Sequence, residues 1–275
     1  MKNLLKKSTL LLVCIMCMIS CSDKEQHNCL EAYQNPSLGI ENHTIEHLNG
    51  TTILEEHQLS YEVEDKNGDY HIKLTIDENT LEAWVNFSSE SLAHNGYGAV
   101  LTEKQKEVLL SFSNQFGEAI VTSNGNTPEK FEIGRMEFTF LRTVEFWSQA
   151  PKGFVHTKQS LTADVRTKST GDDGIVCIEK NNYYTLHYTD KDNNTITTRK
   201  KTGYDGGGSY GCMGRCGANC GSWWAASAWT RDCFEHDQCS LDYSASGGAS
   251  DDHCGDEYWH ASDDYIFGVI RGCSG

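Results

Sequence analysis

The chain has 275 residues, and its 39 acidic against 23 basic side chains give a formal net charge of −16. This length accommodates one or two domains with a sizeable core. The negative charge argues against a nucleic-acid partner, because phosphate binding requires clustered positive charge, and it favours attraction of a divalent cation.

The start of the chain has the pattern of an export signal. Basic residues precede an apolar run over residues 8–19, which is too short to span a bilayer comfortably. The run ends at Ser20 and Cys21, after which the sequence turns polar. This pattern resembles a bacterial lipoprotein signal, which implies that residues 1–20 are removed and that Cys21 is lipidated. We therefore expect a lipid-anchored protein of the bacterial cell envelope, at the outer membrane or cell surface, with residues 21–45 as anchor and tether.

Residues 46–202 predict an α+β domain with antiparallel strands. Residues 59–63 and 70–76 alternate between apolar and polar side chains, and Asn67 with Gly68 offers a two-residue hairpin turn between them. Residues 81–87 could add a third strand.

A helix is expected next. Thr102 can cap it, and apolar residues recur at helical spacing as far as Phe116, so that the helix ends near Gly117. Residues 131–147 are compatible with strands or with a helix. Short strands are expected at three further places, residues 175–178, 183–188 and 195–198. The Asp- and Asn-rich segment 190–194 is more typical of a plain turn than of a calcium site. This domain carries no obvious catalytic constellation.

A glycine-rich hinge at residues 203–209 leads to a C-terminal domain, residues 210–275, that is dense in cysteine. Nine cysteines follow Cys21, and seven of these lie at or after Cys212. Because exported cysteines tend to oxidise, the spacing predicts a disulfide-stapled module. The odd number leaves open whether one thiol is unpaired or one pairing crosses between the domains.

Two helices are expected in the C-terminal domain, over residues 225–241 and 254–269. On the first, Cys233, His236 and Cys239 recur three residues apart along roughly one face. A disulfide between Cys239 and Cys254 would pin the two helices together and bring Asp256 near His236.

At these positions the chain resembles the secreted phospholipase A2 family. The residues that carry the resemblance are Tyr210, Gly211, Cys212, Cys216, Gly217, Asp232, Cys233, Phe234, Glu235, His236, Asp237, Gln238, Cys239, Cys254, Gly255 and Asp256. The family has a glycine- and cysteine-rich calcium loop followed by a disulfide-linked helix pair. The resemblance covers about residues 208–275, and it implies a small, disulfide-rich helical domain. This sequence departs from the family's pattern at Asp232, which replaces one of two paired cysteines, and at Gly255, which is inserted before the aspartate.

The resemblance implies a phospholipid or membrane-surface substrate and a catalytic pair. His236 would be the general base that takes a proton from water as the water attacks an ester carbonyl. Asp256 would hold the other nitrogen of the imidazole. If Asp256 does not face His236, Asp263 or Asp264 is the substitute.

The resemblance also implies Ca²⁺ as cofactor. Asp237 would bind the ion through its side chain, while loop carbonyls complete its oxygen shell. The loop can be aligned in two registers, and the carbonyls of Arg215 and Gly217 are donors in both. Cys216 and Cys233 are further disulfide candidates.

Three other interpretations compete with this one. Residues 219–225 look like the elbow of papain-type proteases, but Trp223 stands where the nucleophilic cysteine should be. A zinc site from Cys233, His236, Cys239 and Cys254 is formally possible. The alternative function is a non-catalytic, disulfide-stapled binding or adhesion module on a lipid-anchored protein.

The tryptophans of this region, Trp223, Trp224 and Trp229, are more typical of a core than of a lipid-facing rim.

Overall fold

A computed structural model describes residues 38–123, 133–150, 152–162, 174–190, 192, 194–203, 211–217, 224, 227–243 and 253–273. The expected signal peptide, the lipidation site Cys21, most of the hinge and the papain-like segment around Trp223 lie outside these ranges. Within them the chain is α+β, as the sequence predicts, with an antiparallel sheet and four helices.

The main sheet has seven strands, and every neighbouring pair is antiparallel. In spatial order they are β1 (Ile40–His43), β2 (His47–Leu54), β3 (His57–Asp65), β4 (Asp69–Ile76), β5 (Asn79–Asn86), β6 (Ser91–Asn95) and β9 (Gln159–Thr162). Two small two-stranded sheets accompany it: β7 (Ala99–Val100) with β8 (Val155–His156), and β10 (Tyr183–Thr189) with β11 (Thr195–Lys201).

The hairpin between β3 and β4 forms where the sequence predicts it. Asn67 and Gly68 have φ values of 63° and 90°, which is the left-handed conformation that a two-residue hairpin turn requires. At the other edge, β1 lies inside residues 21–45, which the sequence assigned to the tether. Few residues there are apolar, but Leu38 is buried, and its carbonyl accepts a hydrogen bond of 3.0 Å from the Tyr61 hydroxyl.

The four helices are α1 (Glu103–Ser123), α2 (Arg135–Ser148), α3 (Arg231–Tyr243) and α4 (Gly255–Phe267). Thr102 caps α1 as expected. Its hydroxyl accepts from the N–H of Gln105 at 3.1 Å, and the Gln105 side chain accepts from the N–H of Thr102 at 3.0 Å, which is a capping box. The helix runs past Gly117, where the sequence predicted its end. The ambiguous residues 131–147 contribute to α2 from Arg135 onward.

The helix α3 begins later than predicted, because the residues before it are extended. The Thr230 N–H donates to the Gly214 carbonyl at 3.1 Å, and the Trp229 N–H donates to the Cys273 carbonyl at 2.7 Å. The predicted strand at residues 175–178 is reduced to a single bridge between Cys177 and Thr230.

The helices α1 and α2 cover one face of the main sheet. Tyr61 of β3 contacts Phe112, Phe116 and Phe140, with ring centroids 5.3, 5.9 and 5.3 Å apart. The helix α2 also contacts α4, where the rings of Phe146 and Tyr258 stack at 4.7 Å. One continuous hydrophobic cluster therefore runs from the sheet through α2 into α4.

The hairpin of β10 and β11 packs against the C-terminal helices. Leu186 lies in a cluster with Trp229 and Phe234, and the His187 N–H donates to Glu235 on α3 at 2.7 Å. The sequence analysis grouped this hairpin with residues 46–202. Its side-chain contacts with α3 could not be read from local pattern.

Disulfides brace the C-terminal region. Among the described residues they join Cys177 to Cys273, Cys216 to Cys233 and Cys239 to Cys254, and Cys212 is also disulfide-bonded. The predicted bridge between the two C-terminal helices, Cys239–Cys254, is therefore present. Within the described ranges, every helix is too short or too polar to cross a membrane.

Candidate active site

The helix α3 presents His236 and Asp237 at the edge of the C-terminal region. The residues just before them, Cys233 and Phe234, are buried at 4% and 0% exposure, which fixes the rotation of the helix. The side chains of His236 and Asp237 keep 23% and 31% of their surface exposed, and Nδ1 of His236 lies 3.9 Å from Oδ1 of Asp237. Both side chains are thus partly exposed, although Nε2 of His236 has almost no accessible surface.

The carboxylate of Asp237 is turned toward the glycine- and cysteine-rich loop. Its Oδ2 accepts a hydrogen bond of 2.8 Å from the N–H of Gly214. Gly214 has a φ of 93°, which side chains rarely adopt, and an added Cβ would lie 3.1 Å from Phe234. Part of the Asp237 side chain is exposed, but its carboxylate is largely surrounded by protein. This burial raises the pKa of Asp237 to about 7, and the hydrogen bond from Gly214 offsets only part of that rise.

The imidazole of His236 lies against α4. Its ring centroid is 5.8 Å from that of Tyr258, and the hydroxyl of Tyr258 donates to the carbonyl of Phe146 at 2.8 Å. Since Tyr258 is buried and its hydroxyl is bonded to α2, its ring forms a fixed wall beside the imidazole.

Asp256 is directed toward the β10–β11 hairpin. Its carboxylate accepts a hydrogen bond from the Thr189 hydroxyl, and the neighbouring Glu257 accepts from the Thr189 N–H at 2.6 Å. Burial, followed by the hydrogen bond to Asp256, raises the pKa of Glu257 to about 9. Burial would raise the pKa of Asp256, but hydrogen bonds from Glu257 and Thr189 lower it overall. The two carboxyl groups thus share a proton at neutral pH. The role of Asp256 as orienting partner of His236 stays a prediction.

The proposed substitutes, Asp263 and Asp264, lie with Asp232 in a buried group. All three are at most 2% exposed, and each offers a carboxylate oxygen within 4.8 Å of the others. Asp232 lies one helical turn before His236 on α3. In the sequence, Asp232 belongs to the motif that resembles phospholipase A2, where it replaces a cysteine, and it was not predicted as a site residue. No local signal pairs it with α4, because the packing of the two helices brings them together.

The predicted carbonyl donors Arg215 and Gly217 lie in the loop that Asp237 contacts. The N–H of Arg215 donates to the carbonyl of Cys212 at 2.8 Å, which closes a tight turn. Burial, and next the charge of Arg142, lower the pKa of the Arg215 guanidinium.

Arg142 and Glu145 form a fully buried ion pair on α2 near this loop. Nη1 of Arg142 lies 2.5 Å from Oε2 of Glu145, and both side chains have 0% exposure. Nε of Arg142 donates to the Tyr265 carbonyl at 3.2 Å, and its guanidinium lies 4.2 Å from the centre of the Tyr265 ring. This pair ties α2 to α4 and was not anticipated from the sequence.

Two of the competing sequence interpretations can be judged from these contacts. The zinc interpretation is wrong, because Cys233, Cys239 and Cys254 are all in disulfides. The core interpretation holds for two of the tryptophans, since Trp224 and Trp229 are 0% and 4% exposed. Trp223 lies outside the described residues.

The fold and site define an α+β protein in which a disulfide links the two C-terminal helices and a β-hairpin packs against them. Residues 173–275 match the model of a family described as a domain of unknown function (DUF8213). This match includes Cys177, the β10–β11 hairpin, both C-terminal helices and Cys273. No curated protein and no solved structure matches the chain.

Proposed function

We propose that the C-terminal region is a calcium-dependent ester hydrolase that acts on phospholipid, in the manner of phospholipase A2, with His236 as the base. The observation that carries the proposal is the pairing of a partly exposed imidazole with a carboxylate that is hydrogen-bonded to a glycine-rich loop. Asp237 reaches Gly214 at 2.8 Å while His236, the residue before it, keeps 23% of its side chain exposed.

The chemistry required of His236 is general-base catalysis. The imidazole takes a proton from a water molecule as the water oxygen bonds to the ester carbonyl carbon. When the bond from that carbon to the alcohol oxygen breaks, the imidazolium returns the proton to the leaving alcohol. The Tyr258 ring beside His236 restricts the orientation of the imidazole and excludes water from one side.

The donor chemistry near Asp237 fits a hard cation. The described contacts give this carboxylate one hydrogen-bond donor, the N–H of Gly214, and burial raises its pKa. A cation would therefore supply a missing counter-charge. Asp237 would hold Ca²⁺ with the carbonyls of Arg215 and Gly217, as part of a shell of about six to eight oxygens. Bound calcium would stabilise the negative charge that develops on the ester oxygen.

A non-catalytic binding module is the second candidate, and one observation favours it. The carboxylate expected to orient His236, that of Asp256, is hydrogen-bonded to Thr189 and paired with Glu257. Under this alternative, the disulfides and the carboxylate pair stabilise a surface, and His236 is a packed side chain.

Fatty-acid release from vesicles separates the two functions. The full chain is incubated with phosphatidylcholine or phosphatidylglycerol vesicles, in calcium or in EGTA, and products are measured by mass spectrometry. We expect release in calcium, none in EGTA, and a loss of at least about 100-fold in His236→Ala. The matched control is His187→Ala, on β10 of the same region, where the imidazole is hydrogen-bonded to the exposed Thr197 at 3.1 Å. Undiminished release by His236→Ala or in EGTA would refute the hydrolase, and vesicle binding without release would support the binding module.

A further inference from the structure

A depression at the main sheet lies between the β4–β5 hairpin and the turn that carries Tyr97. Its volume is about 510 Å³, within the usual range of small-ligand sites. The side chains that line it are Lys73, Glu78, Asn79, Thr80, Glu82 and Tyr97. Ile72, Leu74, Leu81 and Ala83, which alternate with them along β4 and β5, are at most 1% exposed. The depression is therefore built on the outer surface of a fixed part of the core.

Tyr97 forms a rigid aromatic wall of this depression. Its φ is 55°, a left-handed conformation that is unfavourable for a bulky residue. Its hydroxyl donates to Glu82 at 2.7 Å, and its N–H donates to the side-chain oxygen of Asn95 at 3.0 Å. Even so, 64% of its surface is exposed. An aromatic ring held at the surface by a strained backbone points to contact with a ligand.

The turn that carries Tyr97 cannot easily relax this strain. The N–H groups of Gly96 and Gly98 both donate to the carbonyl of His156, at 3.1 and 3.0 Å. A Cβ at Gly96 would lie 2.3 Å from the Cβ of His156. The turn is thus anchored on both sides of Tyr97, and the position of its ring is set before any ligand binds.

The polar groups beside Tyr97 suit a neutral ligand rich in hydroxyl groups. Lys73 and Glu82 face each other across β4 and β5, and the side chain of Glu82 is 12% exposed. The single ammonium group offsets one of the two carboxylate charges of Glu78 and Glu82, so the lining carries one net negative charge. The lining is too polar for an apolar ligand, and its carboxylates disfavour an anion.

A second exposed aromatic side chain extends this surface. Trp84 follows Glu82 by two residues on β5, or about 6.6 Å along the strand at 3.3 Å per residue. Its ring stacks on that of His71 at 5.1 Å and an interplanar angle of 11°, while 39% of it stays exposed. Its cross-strand neighbour on β6 is the small residue Ala93. The spacing between Glu82 and Trp84 along β5 is comparable to the length of a sugar unit.

We propose that this outer sheet face binds a neutral saccharide chain. The ring of Tyr97 stacks on the C–H face of one sugar, Glu82 and Lys73 bond its hydroxyl groups, and Trp84 contacts a further sugar along the chain. This site is separate from His236 and does not depend on the proposed hydrolase.

Calorimetric titration of the full chain tests the proposal, with chitohexaose, laminarihexaose and mannohexaose as probes. We expect at least one hexasaccharide to bind, and to bind more tightly than the disaccharide of the same sugar. Tyr97→Ala should weaken binding at least about 10-fold, since it removes the stacking surface. The matched control is Tyr183→Ala on β10, because Tyr183 is 61% exposed and lies outside the depression. His236→Ala should bind like the wild type, which separates this site from the hydrolase.

A second variant distinguishes a binding role from a structural one. Tyr97→Gly relieves the left-handed backbone, so its melting temperature should equal or exceed that of the wild type while saccharide binding is lost. The proposal is overturned if none of the three hexasaccharides binds at up to about 5 mM, weaker than specific recognition requires. It is also overturned if Tyr97→Ala binds as well as the wild type, or if Ca²⁺ alone binds and Glu82→Gln abolishes that binding.

Discussion

Gly117, in the middle of α1, lies directly against the indole ring of Trp224. A Cβ on Gly117 would lie 2.4 Å from Cγ of Trp224, and the indole N–H donates to Asn114 on the same helix at 3.0 Å. The residue that suggested a helix end therefore provides space for a side chain from the C-terminal part of the chain. It couples α1 to residues more than a hundred positions away.

Gly117→Ala should destabilise the protein although alanine favours a helix. The intrinsic gain of about 1 kcal/mol is outweighed by displacement of a fully buried tryptophan, and overpacking typically costs about 1–3 kcal/mol. Urea unfolding followed by tryptophan fluorescence measures the difference. Gly211→Ala is the control, because a Cβ there has no atom within 4 Å. Equal stability of Gly117→Ala and the wild type would contradict the close contact.

The disulfides should differ in their effect on stability. The Cys239–Cys254 bridge closes a sequence separation of 15 residues and the Cys177–Cys273 bridge one of 96. Loop-closure entropy predicts losses of about 3 and about 4.7 kcal/mol when each pair is replaced by alanine. Urea unfolding of the two double variants tests this order. A larger loss for the shorter loop would show that local packing, not chain entropy, dominates.

Two buried histidines should make the protein acid-sensitive. Burial lowers the pKa of His94 to about 3, and the charge of His156 adds to this effect. Burial likewise lowers the pKa of His156 to about 4, and the charge of Lys106 adds to it. Both folded pKa values lie below the ordinary value near 6.5. Their contribution to stability is therefore fully present above pH 6.5, and it is lost as the pH falls toward 4 and 3.

The expected slope is about 1.4 kcal/mol per pH unit for each histidine between its two pKa values. It is measured as the free energy of unfolding in urea at pH 7, 6 and 5. His156→Gln should be less stable at pH 7 but should show a shallower slope. The exposed, non-titrating control is Thr197→Ala on β11, which should keep the wild-type slope. A wild-type slope in His156→Gln would rule out His156 as a contributor.

The pair of Asp256 and Glu257 should make the protein less stable as the pH rises, which is opposite to the effect of the two buried histidines. Because burial raises the pKa of Glu257 to about 9, its contribution is fully present below about pH 4.5 and is lost as the pH rises toward 9. Glu257→Gln cannot ionise but keeps an acceptor for the Thr189 N–H. We expect it to be close to the wild type in stability at pH 5 and to exceed it at pH 8. Thermal melting at both pH values measures this, and a variant less stable than the wild type at pH 8 would contradict the shared proton.

Part of this architecture could be predicted because its causes are local. The turn at Asn67 and Gly68, the alternation along β3 and β4, and the capping box of Thr102 each depend on residues within a few positions of one another. The bridge between Cys239 and Cys254 was also proposed from the sequence, as one that would pin the two expected helices together, while the full connectivity stayed open.

Other features depend on contacts between distant segments. The sequence placed Asp256 beside His236, but the β10–β11 hairpin offers its carboxylate the hydroxyl of Thr189. The buried group of Asp232, Asp263 and Asp264 forms only when α3 and α4 pack together. Likewise, glycine often ends a helix, so Gly117 suggested a helix end. Its contact with Trp224 could not be predicted from the neighbouring residues.

The sequence by itself determined the fold class, the places of five strands (β3, β4, β5, β10 and β11) and three helices (α1, α3 and α4), and the disulfide-rich character of the C-terminal region. These follow from side-chain periodicity, turn conformation and cysteine density, which act over short stretches of chain. Only the tertiary structure decided which carboxylate faces which partner. The rotation of each helix, and hence the direction of each side chain, is set by the elements that pack against it, and those elements lie far away in the sequence.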